Sequence, residues 1–202
     1  DELIARQSIL TRGEIKKEFT HSLGVDVGYT EAESTFQIIR FNGKRWEHVE
    51  NIAEKNYKVQ MTYEKIKSLN SMYPIKDINI DSGGLLGTQL IEYLLSDDAL
   101  KRKTKPLNNS SRAVTYESGE KQPLKRKMMK EDLYMNFIKM LEKNELQLLD
   151  DDNVRLSLKS VMYEQDAETK QVKIYGRYTH IAEGLVRAAW AANTKALKLW
   201  IA

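Results

Sequence analysis

Three acidic residues stand where the local pattern favours apolar ones. Asp26 sits inside "LGVDVGY", between two valines and two glycines. Asp81 ends the apolar run "INID" just before Gly83 and Gly84, and Glu183 lies beside Ile181, Ala182 and Leu185 in "THIAEGLVRAAWAA". His180 precedes Glu183 by one helical turn, so both side chains leave one helix face. A buried carboxylate is costly unless it is paired or bound to a metal. Three together also repel one another, which a divalent cation relieves. Hard ions such as Mg²⁺ and Mn²⁺ prefer oxygen ligands, and two ions about 4 Å apart can clamp an in-line phosphodiester displacement. Each acid alone has a plainer role. Asp26 can cap a turn, Asp81 can cap the helix after Gly84, and Glu183 can pair with Arg187 one turn on.

The elements that must position these residues are partly visible. "LGVDVGY", "STFQIIRF" and "RWEHVEN" read as a three-strand antiparallel meander, with Asn42-Gly43 as one turn. Tyr63, Ile66, Leu69 and Tyr73 share a face of the next helix, which Pro74 stops. "IKDINID", a glycine turn and "LLGTQLIEYLL" form a strand–turn–helix unit of a mainly parallel sheet. Residues 101–125 lack periodicity and predict a long loop. "KRKMMKEDLYMNFIKMLEK" predicts a helix with Met129, Leu133, Phe137 and Leu141 on one face, its methionines serving as core filler. "SVMYEQ" and "QVKIYG" flank "DAETK" as a hairpin, and "THIAEGLVRAAWAANTKALKLW" is a final helix. The expected fold class is therefore α/β with a mixed central sheet. Residues 1–20 predict a linker or arm ahead of one domain over residues 21–202.

Composition narrows the class. The chain has 202 residues, 30 % of them charged and 41 % apolar, with no cysteine, which excludes disulfides and thiolate metal sites. Lys and Glu abundance without Cys hints at a thermophilic source. No apolar run approaches the ~18 residues of a membrane span, so no membrane partner is expected. The first residue is Asp, which suggests a piece of a longer protein. Residues 101–130 hold ten Lys/Arg against two Glu, whereas the chain as a whole carries only +3. A basic segment on a mildly acidic body suits a polyanion, or simply a solvated loop.

The strand "GVDVG", the strand–turn–helix "NIDSGGLLGTQLIEYL" and the helix opening "THIAEGLVRAAWAA" resemble, in that order, the RNase H-like nucleases. Within them the order is similar to the nuclease domain of the large terminase subunit of tailed viruses, over roughly residues 22–195. "KRKMMKEDLYMNFIKMLEKNELQLLDDDNVRLSL" adds to the likeness. The resemblance implies a two-metal endonuclease using Mg²⁺ or Mn²⁺ that cuts concatemeric viral double-stranded DNA during packaging. Asp26 would bridge both ions, Asp81 and Glu183 would each complete one shell, and His180 would hold a water, the phosphate or the second ion. Lys101, Arg102, Lys103, Lys105, Arg112, Lys121, Lys125 and Arg126 would track the phosphate backbone. The implied partners are the terminase ATPase domain, the small subunit and the portal, and the implied location is the host cytoplasm during assembly. The chain departs from the family in having Glu, not Asp, at 183, and in leaving Glu31 and Glu33 as auxiliary ligands. It also lacks a GxxxxGK[ST] loop, so no ATP-driven motor is present in it. A Holliday-junction resolvase, an ATP-binding module of the actin and sugar-kinase type, and a non-catalytic DNA-docking domain remain as alternatives.

Overall fold

The computed structural model describes residues 1–28, 32–55, 58–110, 112–115, 124–165 and 172–198. Its elements run α1 Glu2–Gln7, β1 Ser8–Leu10, β2 Thr20–Asp26, β3 Ser34–Phe41, β4 Trp46–Glu54, α2 Val59–Met72, β5 Ile75–Asp81 and α3 Gly84–Ser96. They continue with β6 Thr104–Leu107, β7 Arg112–Thr115, β8 Leu124–Met128, α4 Met129–Glu142, β9 Leu146–Leu149, α5 Asp152–Lys159, β10 Met162–Gln165, β11 Val172–Tyr175 and α6 His180–Lys198.

Seven strands form one mixed sheet in the order β1-β9-β4-β3-β2-β5-β6. The meander β2-β3-β4 is antiparallel, as the alternation and the Asn42-Gly43 turn predict. Asn42 Oδ1 accepts from the amides of Lys44 and Arg45, and Gly43 takes φ +94°, which fixes that turn. β5 lies parallel to β2, with Val25 opposite Ile80, so Asp26 and Asp81 come at the ends of neighbouring strands.

Side-chain alternation along the central strands divides the core in two. Leu23, Val25, Phe36, Ile38, Ile78 and Ile80 pack with Ile66, Leu69, Leu90 and Leu94 of α2 and α3. On the opposite face, Leu185, Val186, Ala188 and Ala189 of α6 pack with Leu133 and Phe137 of α4 and Val154 and Leu158 of α5. Gly24 faces α6, and a Cβ there would lie 2.0 Å from the carbonyl oxygen of Gly184. That close approach brings the helix axis onto β2. Ser22 Oγ donates to Ala188 O and Thr35 Oγ1 to His180 O, so two strand hydroxyls fix the helix from below.

Two expectations differ from the structure. Within residues 101–125, predicted as a loop, β6 pairs in parallel with β5, and β7 pairs with β8 in a hairpin that also takes residues 125–128 from the start of the predicted helix. β6 is the edge strand, which is where Pro106 and its missing N–H are tolerated. Within residues 1–20, expected as an arm, α1 and β1 join the body. β1 pairs in parallel with β9, and Gln7 Nε2 donates to Leu141 O. The β10–β11 hairpin forms as expected, its "DAETK" turn lying outside the described residues. No helix among the described residues is long and apolar enough to cross a membrane.

Candidate active site

Asp26 belongs to the alternating set Ser22, Gly24, Asp26, which faces α6, and Asp81 occupies the matching place at the end of β5. α6 crosses this face with its N-terminus over both strand ends. Its first turn supplies His180 and Glu183, the acid being favoured there by the helix dipole. The four residues singled out from the sequence therefore meet, although they come from three distant segments.

What they meet is a guanidinium. Arg187, one turn beyond Glu183, is 0 % exposed. Its Nη1 lies 3.0 Å from Glu183 Oε2 and 3.6 Å from Asp26 Oδ1, and its Nη2 lies 2.8 Å from Asp81 Oδ2. Nη1 also donates to Glu183 O, and Nη2 to Asn109 Oδ1. The remaining carboxylate oxygens are engaged as well. His180 Nδ1 donates to Asp26 Oδ2 at 2.8 Å. Asp81 Oδ1 accepts the Gly83 amide. Glu183 Oε1 accepts from the Tyr134 hydroxyl at 2.9 Å and pairs with Lys130 Nζ at 2.8 Å. The extra methylene of Glu183, relative to Asp, lets one side chain reach these three partners.

Electrostatics follow the contacts. Burial pushes the Asp81 carboxyl up, and the nearby Arg187 only partly offsets it. Burial also works to raise Glu183, but Arg187 and Lys130 outweigh it and hold that carboxyl below its usual range. The hydrogen bond to Asp26 raises His180 above an ordinary imidazole despite its burial. Burial opposes the charge on Arg187, yet Asp26, Asp81 and Glu183 overcome it and keep the side chain firmly cationic. Burial and the Glu183 charge both push the Tyr134 hydroxyl upward, so it stays a donor.

Hard carboxylate oxygens suit a divalent cation in kind. In arrangement they close on Arg187. Among the described residues, no group of three or more His, Cys, Asp or Glu is spaced to hold a metal ion. Among the described residues, Asp26 and Asp81 keep the most spare acceptor capacity, because Asp26 Oδ1 has a 3.6 Å ion pair there and Asp81 Oδ1 a single amide.

The auxiliary and DNA-facing expectations fare unevenly. Glu33 pairs loosely with Lys55 and borders a cleft of about 690 Å³ beside His180, lined also by Arg12, Asn51, Asp151 and Tyr178. Glu31 and Lys121 lie outside the described residues. Lys101 and Arg102 are exposed, Lys101 bonding to Asp98. Lys103 donates to Asn70, and Lys105 pairs with Asp77. Arg112 lies on β7, and Lys125 and Arg126 lie on β8. The sequence reading missed Lys130, Tyr134 and Asn109, and it took Arg187 as a partner of Glu183 alone. A lone charge in "GLVRAAWAA" was the available signal for Arg187.

No protein-family model matches the chain, and no curated protein matches it in sequence. Solved structures do match. The large terminase nuclease of the thermophilic phage G20c with bound magnesium superposes with a TM-score of 0.70 at 18 % identity, covering 93 % of this chain and 96 % of that one. Structures of that nuclease with bound cobalt and zinc match as well. The large terminase nuclease domain of Thermus phage P74-26 gives 0.62 at 17 % identity, over 89 % of this chain and 83 % of that one. The large terminase of a further thermophilic bacteriophage gives 0.62 at 14 % identity, over 90 % of this chain but 42 % of that longer one. The chain thus has the mixed α/β, RNase H-like fold of the large terminase nucleases.

Proposed function

We propose that this chain is a divalent-metal-dependent endonuclease domain that cuts concatemeric viral double-stranded DNA during genome packaging. The observation that supports it best is the meeting of Asp26 and Asp81, from the ends of adjacent parallel strands, with His180 and Glu183 in the first turn of α6. The partners of this reading are DNA, the terminase ATPase domain, the small subunit and the portal, in the host cytoplasm. Mg²⁺ or Mn²⁺ is the proposed cofactor.

Asp26 and Asp81 would hold the ion. Bound there, it would polarise the scissile phosphate and help to generate the hydroxide that attacks it. The protein's own groups set the stage for this. His180 Nδ1–H fixes one oxygen of Asp26, leaving the other directed inward. The side chain is partly exposed, so its other ring nitrogen is open to a phosphate oxygen. The Gly83 amide orients Asp81, and Gly84, at φ +70°, turns the chain away from the strand end. Arg187 holds all three carboxylates against mutual repulsion.

The same guanidinium favours a second reading, a non-catalytic DNA-docking domain whose acids are neutralised within the protein. A plasmid-nicking assay with Mn²⁺ separates the two. Cleavage is expected for the wild type, with a loss on the order of 100-fold in Asp26→Ala and in Asp81→Ala. A wild type that binds but does not cut, or mutants that cut undiminished, would leave the docking reading or another site in its place.

A further inference from the structure

We propose that Arg187 is a resident cation standing in for one divalent ion, so that this site holds a single ion at Asp26 and Asp81, while Glu183 serves the protein's own cations. The proposal rests on the metal-dependent reading above and replaces the two metal ions that the family resemblance implies with one.

Three observations carry it. First, Glu183 has little left to offer an ion. Oε1 already takes the Tyr134 hydroxyl and the Lys130 ammonium, and Oε2 takes Arg187. Second, the charge is nearly balanced. Three carboxylates face the cations Arg187 and Lys130, leaving one negative charge in excess. One divalent ion would turn that excess into a single positive charge, which an incoming phosphate cancels. A second ion would add two more positive charges to a buried cluster, where Coulomb energies are large. Third, Arg187 is not placed to leave. It is fully buried, reaches Asp26, Asp81, Glu183 and Asn109 together, and remains protonated at any ordinary pH. Having no exposure, it cannot touch substrate, so it is a positioning residue.

It follows that the acids are held together without metal. An equivalent cluster lacking the arginine would need ions to relieve its repulsion, and its stability would depend on them.

Mn²⁺ stoichiometry by titration calorimetry, with melting temperature in EDTA or in Mn²⁺, tests this on the wild type, Arg187→Gln and Arg187→Lys. The wild type is expected to bind one ion per chain, lost in Asp26→Asn, and to melt cooperatively in EDTA. Arg187→Gln is expected either to bind a second ion or to fold only when Mn²⁺ is present, whereas Arg187→Lys keeps one ion and folds in EDTA. Two ions bound by the wild type, both lost in Asp26→Asn, overturn the proposal. So does an Arg187→Gln variant that folds in EDTA and binds one ion with unchanged affinity. If neither variant folds, the wild-type count alone decides, one ion upholding the proposal and two overturning it. No bound ion at all overturns this proposal and the metal-dependent reading together, whereas Mn²⁺-dependent cutting with two bound ions leaves that reading standing and removes only this one.

Discussion

His48 lies on β4 with no exposure, and its Nε2–H is shared between Gln37 Oε1 and Glu50 O. Its Nδ1 is buried without a hydrogen-bond partner among the described residues. Protonation would place a second N–H there with nothing to accept it. Burial accordingly pushes this imidazole down to about 4. Its folded proton affinity is depressed relative to the ~6.5 of an unfolded chain. Its stabilising neutrality is therefore intact above about pH 6.5 and is lost as pH falls toward 4. Denaturant melts at pH 7.5 and 4.5 are expected to differ by up to about 3 kcal/mol from this residue alone. A His48→Gln variant should flatten that difference, and an unchanged slope would show that the charge is accommodated elsewhere. Arg187 presents the contrasting case of a charge that burial opposes but its neighbours retain. Arg187 depends on Asp26 and Asp81, partners distant in sequence that a single-residue pattern does not reveal.

Among the elements, α6 and β2 are matched by small residues. Gly24 admits the backbone of Gly184 and Ala188 at distances no Cβ tolerates. Gly24→Ala must therefore lift α6, which costs ~3 kcal/mol by overpacking. The same shift would carry His180, Glu183 and Arg187 away from Asp26 and Asp81. A lowered melting temperature with a further loss of Mn²⁺-dependent cutting in the surviving folded fraction is the expected result. Retained cutting would mean that the helix adjusts without moving the site. The meander and the helices α2, α3, α4 and α6 were legible in the sequence because their apolar residues recur at two or at three to four positions. β1, β6 and β9 were not. Each has only three or four residues and draws its stability from a parallel neighbour far along the chain. The acids were legible for the opposite reason, as charges interrupting apolar runs. Their common partner became visible only once β2, β5 and α6 were brought together.

For the whole molecule, the charge balance bears on DNA. Among the proposed phosphate contacts whose side chains are described, Lys101 and Arg102 are exposed, whereas Lys103 and Lys105 are tied to Asn70 and Asp77. Binding governed by such contacts weakens with salt, with a logarithmic slope of about −0.9 per phosphate neutralised. Arg102→Ala is expected to weaken duplex binding regardless of sequence and to lower that slope by about 1, with Lys103→Ala changing it less. Fluorescence anisotropy across a salt series measures both, and a slope unmoved by Arg102→Ala would take this turn out of the interface. The order of elements along the chain adds a consequence in time. α6 follows every strand that it covers, so Asp26 and Asp81 are synthesised long before His180, Glu183 and Arg187. Domains begin to organise as they leave the ribosome, and here the sheet can assemble while its two aspartates still face water. The proposed site is completed only by the arrival of α6. If the site cuts DNA as proposed, a nascent chain stays harmless to nearby DNA until α6 has docked.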